Sequence, residues 1–97
     1  MVIHHSRSYN KDLESLKKDS KFSFKTLEKQ IDFFKENIQH PSLEYKKITC
    51  KKSNNRYSIR VDVYFRILLD KLDDETYHFM RLVSHKEYDR LTKAQNC

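Results

Sequence analysis

Residues 56–66 read RYSIRVDVYFR, and the alternation in this stretch and just beyond it decides the fold. Tyr57, Ile59 and Val61 alternate with Ser58, Arg60 and Asp62; Phe65, Ile67 and Leu69 alternate with Tyr64, Arg66, Leu68 and Asp70. Successive side chains of a strand point to opposite faces. A period of two therefore predicts two short strands joined by a tight reversal, with an apolar face toward a core and Arg60 and Arg66 together on the other, open face. Arginine on a solvated outer face is ordinary in itself. The placement of the remaining charge gives this pair more weight.

Working outward, the segment from Lys46 to Arg66 holds seven basic residues (Lys46, Lys47, Lys51, Lys52, Arg56, Arg60 and Arg66) against one acid, Asp62. That accounts for the whole net charge of +6, because basic and acidic residues balance in the rest of the chain. So concentrated a patch favours a polyanionic partner, nucleic acid first. A basic sheet edge kept soluble and unpaired is the alternative reading.

Ninety-seven residues make one domain, 1–97, with a modest core drawn from six Phe, six Tyr and the aliphatic residues. Glycine is absent and Pro41 is the one proline, so tight turns fall to Asn, Asp and Ser. The lack of glycine excludes a Rossmann or P-loop phosphate cradle, both of which need close backbone approach. Cys50 and Cys97 are the only cysteines, and no apolar leader or membrane-length run is present. These features predict a cytoplasmic protein with two free thiols, no membrane segment, no metal site and no small-molecule cofactor.

Around the central hairpin, Val2 to His5 reads as a β-like start, and Tyr9, Leu13 and Leu16 begin a helix. Asp19-Ser20 breaks it and offers the next cap. Phe24, Leu27, Ile31, Phe34 and Ile38 recur at alternating spacings of three and four, the strongest helical signal in the chain. That helix should stop near Gln39, since Pro41 disfavours helical geometry at His40. Leu43 to Ile48 predicts a short strand, Lys51 to Asn55 a polar loop with left-handed geometry at Asn54-Asn55, and Thr76 to Val83 a further strand. Ser84-His85-Lys86-Glu87 has capping-box spacing and opens a last helix running to about Lys93. The fold class is α+β: two N-terminal helices packed on one face of a mostly antiparallel four- to five-stranded sheet, then a short C-terminal helix.

The ordered blocks HPSLEYKKI, YSIRV, YFRILL and RLVSHKEYDRL resemble the RelE/ParE superfamily of toxins from bacterial type II toxin–antitoxin pairs. The likeness covers residues 40–92, and the histidine at the last strand–helix junction resembles the YafQ-like branch. The resemblance implies a metal-independent endoribonuclease that cuts messenger RNA on the ribosome, inhibits translation and is neutralised by a cognate acidic antitoxin. Carried over by position, it implies catalytic roles for Arg60, Arg66, Arg81, His85 and Tyr88. Lys46, Lys47, Lys51, Lys52 and Arg56 then bind RNA or antitoxin. RelE itself has lysine where this chain has Ser58. ParE-like members share the fold but inhibit DNA gyrase without chemistry of their own, and a degenerate member would only bind its antitoxin; both remain alternatives.

These residue types suit metal-free RNA cleavage. Driving a 2′-hydroxyl onto the adjacent phosphate needs a base for that hydroxyl, an acid for the departing 5′-oxygen and cations for the developing charge. Arginine is permanently charged and matches phosphate geometry; histidine moves protons near neutrality, and tyrosine can stack on a base. On this reading His85 is the general acid, Tyr88 stacks on or orients the nucleotide, and loss of Arg66 from an open face should cost little stability.

Overall fold

A computed structural model covers Met1–Cys97. The strands are β1 (Val2–His5), β2 (Lys46–Lys47), β3 (Arg56–Arg60), β4 (Phe65–Lys71) and β5 (Thr76–Ser84); the helices are α1 (Arg7–Leu16), α2 (Phe24–Glu36) and α3 (His85–Lys93). They form one sheet in the order β1-β5-β4-β3-β2, antiparallel throughout except that β1 runs parallel to β5. The central hairpin forms as its alternation predicts, with Ile59 opposite Ile67 and Arg60 opposite Arg66.

Two cores sandwich the sheet. On the helix side, Ile59, Phe65, Ile67, Leu69, Tyr77 and Phe79 pack with Tyr9 of α1 and with Leu27 and Phe34 of α2. On the opposite side, Leu68 and Val83 pack with Tyr88 and Leu91 of α3 and with Ile48, Cys50 and Cys97. The open face of the sequence reading is therefore half covered, by the last helix. Ile67-Leu68-Leu69 is an unbroken apolar run because β4 is buried on both faces. Cys50 and Cys97 are buried free thiols packed in this second core, and Cys97 Sγ donates to the Thr49 carbonyl at 3.8 Å. Burial first, then its thiol neighbour, pushes Cys97 up to about 11, while Cys50, against its burial, is lowered by its polar neighbours.

Several local expectations are corrected. Ser23, not Asp19-Ser20, caps α2, its hydroxyl accepting from the Thr26 amide; Asp19 instead closes a side-chain turn onto the Lys21 amide. Helix α2 ends at Glu36, because Asn37 is already extended and its side chain accepts the Gln39 amide. The first half of the strand expected over Leu43 to Ile48 is replaced by a 3-10 turn, Pro41–Leu43, and a left-handed Glu44; Lys46–Lys47 form the strand, and the Ile48 amide continues the pairing onto the Arg56 carbonyl at 2.9 Å. Proline sets the turn's first helical dihedral, and the His40 ring accepts the Ser42 amide. Asn54 and Asn55 do not adopt left-handed geometry; Glu44 and Gln95 do. Asp19, Asn37, Asp62 and Asp73 accept amides two residues on, as a glycine-free chain requires.

Strand β1 stops at His5, halfway along β5, and α1 serves the edge of β5 beyond it. The Ser6 hydroxyl caps α1 and donates to the Met80 carbonyl, while the Asp12 carboxylate accepts the Leu82 amide at 3.0 Å. This edge treatment ties the first helix to β5 without extending the sheet.

Candidate active site

The end of the sheet where β3 turns into β4 meets the start of α3. The turn is built on Asp62, whose carboxylate accepts the Tyr64 and Phe65 amides at 2.8 and 3.0 Å. The Tyr64 carbonyl in turn accepts the His85 amide at 2.9 Å, and Ser84 caps α3 by accepting the Glu87 amide. The S-x-x-E motif thus starts the helix where its spacing predicts through its serine half, while the Glu87 carboxylate pairs with Arg90, and the helix start is pinned against the hairpin tip.

Two predicted site residues converge there on one atom. The Asp62 carbonyl oxygen lies 3.1 Å from His85 Nε2 and 3.3 Å from Arg60 Nε. A carbonyl can only accept, so Nε2 carries the proton in this contact and Nδ1 is the ring nitrogen left for chemistry. Arg60 also pairs with the Glu44 carboxylate at 3.4 Å and keeps about a third of its side chain exposed. Its backbone is held from the helix layer: the buried Gln30 amide of α2 donates to the Arg60 carbonyl at 2.8 Å and to that of Ser42 at 3.3 Å.

Arg66 and Tyr88 form an inner layer. Arg66 shares the Arg60 face, yet it is only 3 % exposed, because the Tyr88 ring lies over it with its centroid 5.0 Å from the guanidinium carbon. Its Nη2 donates to the Glu44 carbonyl and to Ser58 Oγ, both at 3.0 Å, while its Nε has no partner. Burial pulls this guanidinium below the ordinary arginine value; Tyr88 and Glu44 oppose the shift and Arg60 adds to it. The Tyr88 hydroxyl is 3.1 Å from Ser58 Oγ, and Lys46 Nζ sits 5.7 Å from the ring centroid. Arg66 is thus not the open-face residue expected but a buried one. Ser58 is fully buried, and its hydroxyl bonds both Arg66 and Tyr88. The exposed aromatic ring at this end of the molecule is Tyr64, with Lys21 Nζ 5.5 Å from its centroid.

The other predicted residues lie elsewhere. Arg81 is held by Asp12, Nε to Oδ2 at 2.7 Å and Nη2 to Oδ1 at 3.2 Å, and this bond raises its pKa further. Arg56 is buried and pairs with Asp70 at 2.7 Å. Lys46 and Lys47 are exposed beside Tyr88 and Tyr57, and Lys51 and Lys52 on the following loop. Sequence reasoning missed Gln30, Glu44 and Asp62. Gln30 was detectable: it falls on the apolar stripe of α2, three residues after Leu27 and four before Phe34. Glu44 and the Asp62 carbonyl had no signal, since one acts from a left-handed turn and the other through its backbone. No three His, Cys, Asp or Glu side chains gather anywhere as a metal-binding group.

Residues 25–90 match the ParE-like toxin domain family. No relative with a curated description matches the chain. Among solved structures, YafQ from E. coli superposes with a TM-score of 0.73 at 16 % identity, over 89 % of this chain and 94 % of that one. The E. coli DinJ–YafQ toxin–antitoxin complex gives 0.72 at 17 % identity over 88 % and 92 %. A metal-bound toxin from Helicobacter pylori gives 0.66 at 24 % identity over 90 % and 97 %. At these identities the likeness concerns the fold.

Proposed function

The chain belongs to the ParE-like toxin domain family, and from that premise we propose that it is the toxin of a type II toxin–antitoxin pair that cleaves messenger RNA on the ribosome without a metal. The observation that carries this reading is the convergence of His85 and Arg60 on the Asp62 carbonyl at the exposed end of the sheet. The hydrogen bond from Nε2 holds the imidazole and leaves Nδ1 as the nitrogen available to the substrate. As imidazolium, His85 gives its Nδ1 proton to the departing 5′-oxygen. Arg60 meets the phosphate oxygens on which charge develops as the 2′-hydroxyl, its proton passing to solvent, attacks phosphorus and the bond to the 5′-oxygen breaks.

Arg66 and Tyr88 are too deeply covered to touch an incoming nucleotide in this arrangement. Their role is positioning: the stacked pair supports Lys46 and holds α3, and hence His85, against the sheet. The base-stacking role expected of Tyr88 passes to Tyr64, whose carbonyl already anchors the His85 amide. Arg81, bound to Asp12, takes no part in the chemical step. A cognate acidic antitoxin neutralises the toxin through Lys46, Lys47, Lys51 and Lys52, and the structure of the DinJ–YafQ complex supports such a pairing for this fold.

The test combines two readouts. On purified ribosomes carrying a defined message, the parent should cleave and His85→Gln should cleave at least about 100-fold more slowly, the usual scale for removal of a general acid. Expression in cells should arrest translation and leave DNA supercoiling unchanged. A change in supercoiling with intact message would establish the gyrase-inhibitor alternative instead.

A further inference from the structure

Beyond α3 from the Arg60–His85 pair lies a second basic recess that the cleavage reading does not use. A cleft of about 410 Å³ is lined by Arg7, Lys52, Arg56 and Arg81 together with Ser6 and Ser8. Leu91 and Cys97, packed with Leu68 and Val83, form the apolar wall that separates it from Tyr88 and Arg66.

Three features make it a built site. First, its two inner arginines are oriented from behind. Arg56 is 5 % exposed and gives Nε and Nη2 to Asp70; Arg81 gives the same two nitrogens to Asp12. Neither Nη1 has a protein acceptor, and both arginines line the cleft. Asp12 is occupied by three bonds, two from Arg81 and one from the Leu82 amide, and Asp70 by Arg56 and Ser53. Neither carboxylate lines the cleft. Second, Arg7 and Lys52 have no ion-pair partner, which leaves two uncompensated positive charges. Third, the Arg7 and Ser8 amides, at the positive end of the ten-residue helix α1, have no acceptor.

Paired guanidiniums, free helix-end amides and a hydroxyl are the donors that a phosphoryl group takes, and here they are ordered before it arrives. The volume is that of a small-molecule site and exceeds what a bare ion fills. The geometry points to a second, non-catalytic site that binds the phosphate of a nucleotide, whether a free mononucleotide, the phosphorylated end of an RNA strand or an internal phosphodiester. Its occupancy is independent of turnover at His85.

Amide and arginine Nε–H resonances of the full chain would be followed during titration with sodium phosphate, a 5′-mononucleotide, and an uncleavable 2′-O-methyl oligonucleotide with or without a 5′-phosphate. An acidic peptide would be titrated in parallel. Saturable shifts at the Arg7 and Ser8 amides and the Arg56 Nε–H are expected with the mononucleotide. The Arg7→Ala/Lys52→Ala double variant should bind about 10-fold or more weakly and melt like the parent, since neither side chain makes an internal ion pair. His85→Gln should bind like the parent, which separates this site from the cleavage reading. A response to the oligonucleotide only when it carries a 5′-phosphate assigns a strand end, and an equal response without one assigns the backbone. Absence of saturable shifts with every phosphate probe, equal affinity of parent and double variant, or shifts with the acidic peptide alone would overturn the assignment.

Discussion

Arg66→Ala separates a buried positioning arginine from an open-face one by stability alone. Its Nη2 makes two charge-assisted hydrogen bonds, to the Glu44 carbonyl and to Ser58 Oγ, each at 3.0 Å. Bonds of that kind contribute about 1.5–3 kcal/mol each. The contact with the Tyr88 ring at 5.0 Å adds about 0.5–2 kcal/mol. Opposing these is the buried Nε without a partner, whose removal returns about 1–3 kcal/mol. The net effect is a loss of about 0.5–7 kcal/mol, centred at about 4 kcal/mol, which for a domain of this size lowers Tm by roughly 15–30 °C. Urea unfolding followed by far-UV circular dichroism measures it, with an unchanged denaturant slope expected. Arg66→Lys, which keeps the charge but not the fork, should fall between the two. A variant Arg66→Ala within about 0.5 kcal/mol of the parent, the range of ordinary surface substitutions, would show that the residue is not held as described. Loss of toxicity in Arg66→Ala must therefore be read beside its melting curve.

Further outcomes follow from the same contacts. Tyr88→Phe keeps the ring over Arg66 and loses only the bond to Ser58, so unfolding experiments should show a cost of about 0.5–1.5 kcal/mol with α3 still in place. Asp12→Ala frees Arg81 and leaves the Leu82 amide without its acceptor; thermal melts should show a loss of about 1–3 kcal/mol, discounted for the partial exposure of Arg81. His5, though exposed at the end of β1, is lowered from the ordinary imidazole value of 6.5, first by partial desolvation and then by His78, His4 and Lys35. The unfolded chain therefore takes up that proton first, and stability present above pH 6.5 is lost as pH falls through the window below it. His5→Phe should reduce the drop in Tm between pH 7.5 and pH 5, and parallel drops in parent and variant would exclude His5 as its source. Charge reversal at Lys46, Lys47, Lys51 and Lys52 should slow antitoxin association at low salt, measured by stopped-flow mixing, and the difference should shrink as salt is raised.

Sequence alone determined the elements whose signals are local. The 3-4 stripe from Phe24 onward, the alternation around RYSIRVDVYFR and the S-x-x-E box at Ser84 depend on backbone periodicity and on bonds spanning three or four residues. Each led to an element close to its expected bounds. The same patterns put Arg60 and Arg66 on one face of the sheet and His85 and Tyr88 in the first turn of the last helix. Local pattern failed where a distant segment competes for a surface. The pleat assigns Arg66 a face but not the helix that covers it, and only the return of α3 across that face converts an exposed arginine into a buried one under Tyr88. The run Ile67-Leu68-Leu69 carried the warning, since a strand open on one face has no need of consecutive apolar residues. Likewise, net charge marks Arg56 and Lys52 as basic, but their gathering with Arg7 and Arg81 depends on α1 taking over the edge of β5 where β1 stops. Hydrogen bonds between residues about 70 positions apart, such as Asp12 to Arg81 and to Leu82, leave no trace in spacing. They arise because a polar backbone edge buried by packing must find a partner wherever the chain brings one.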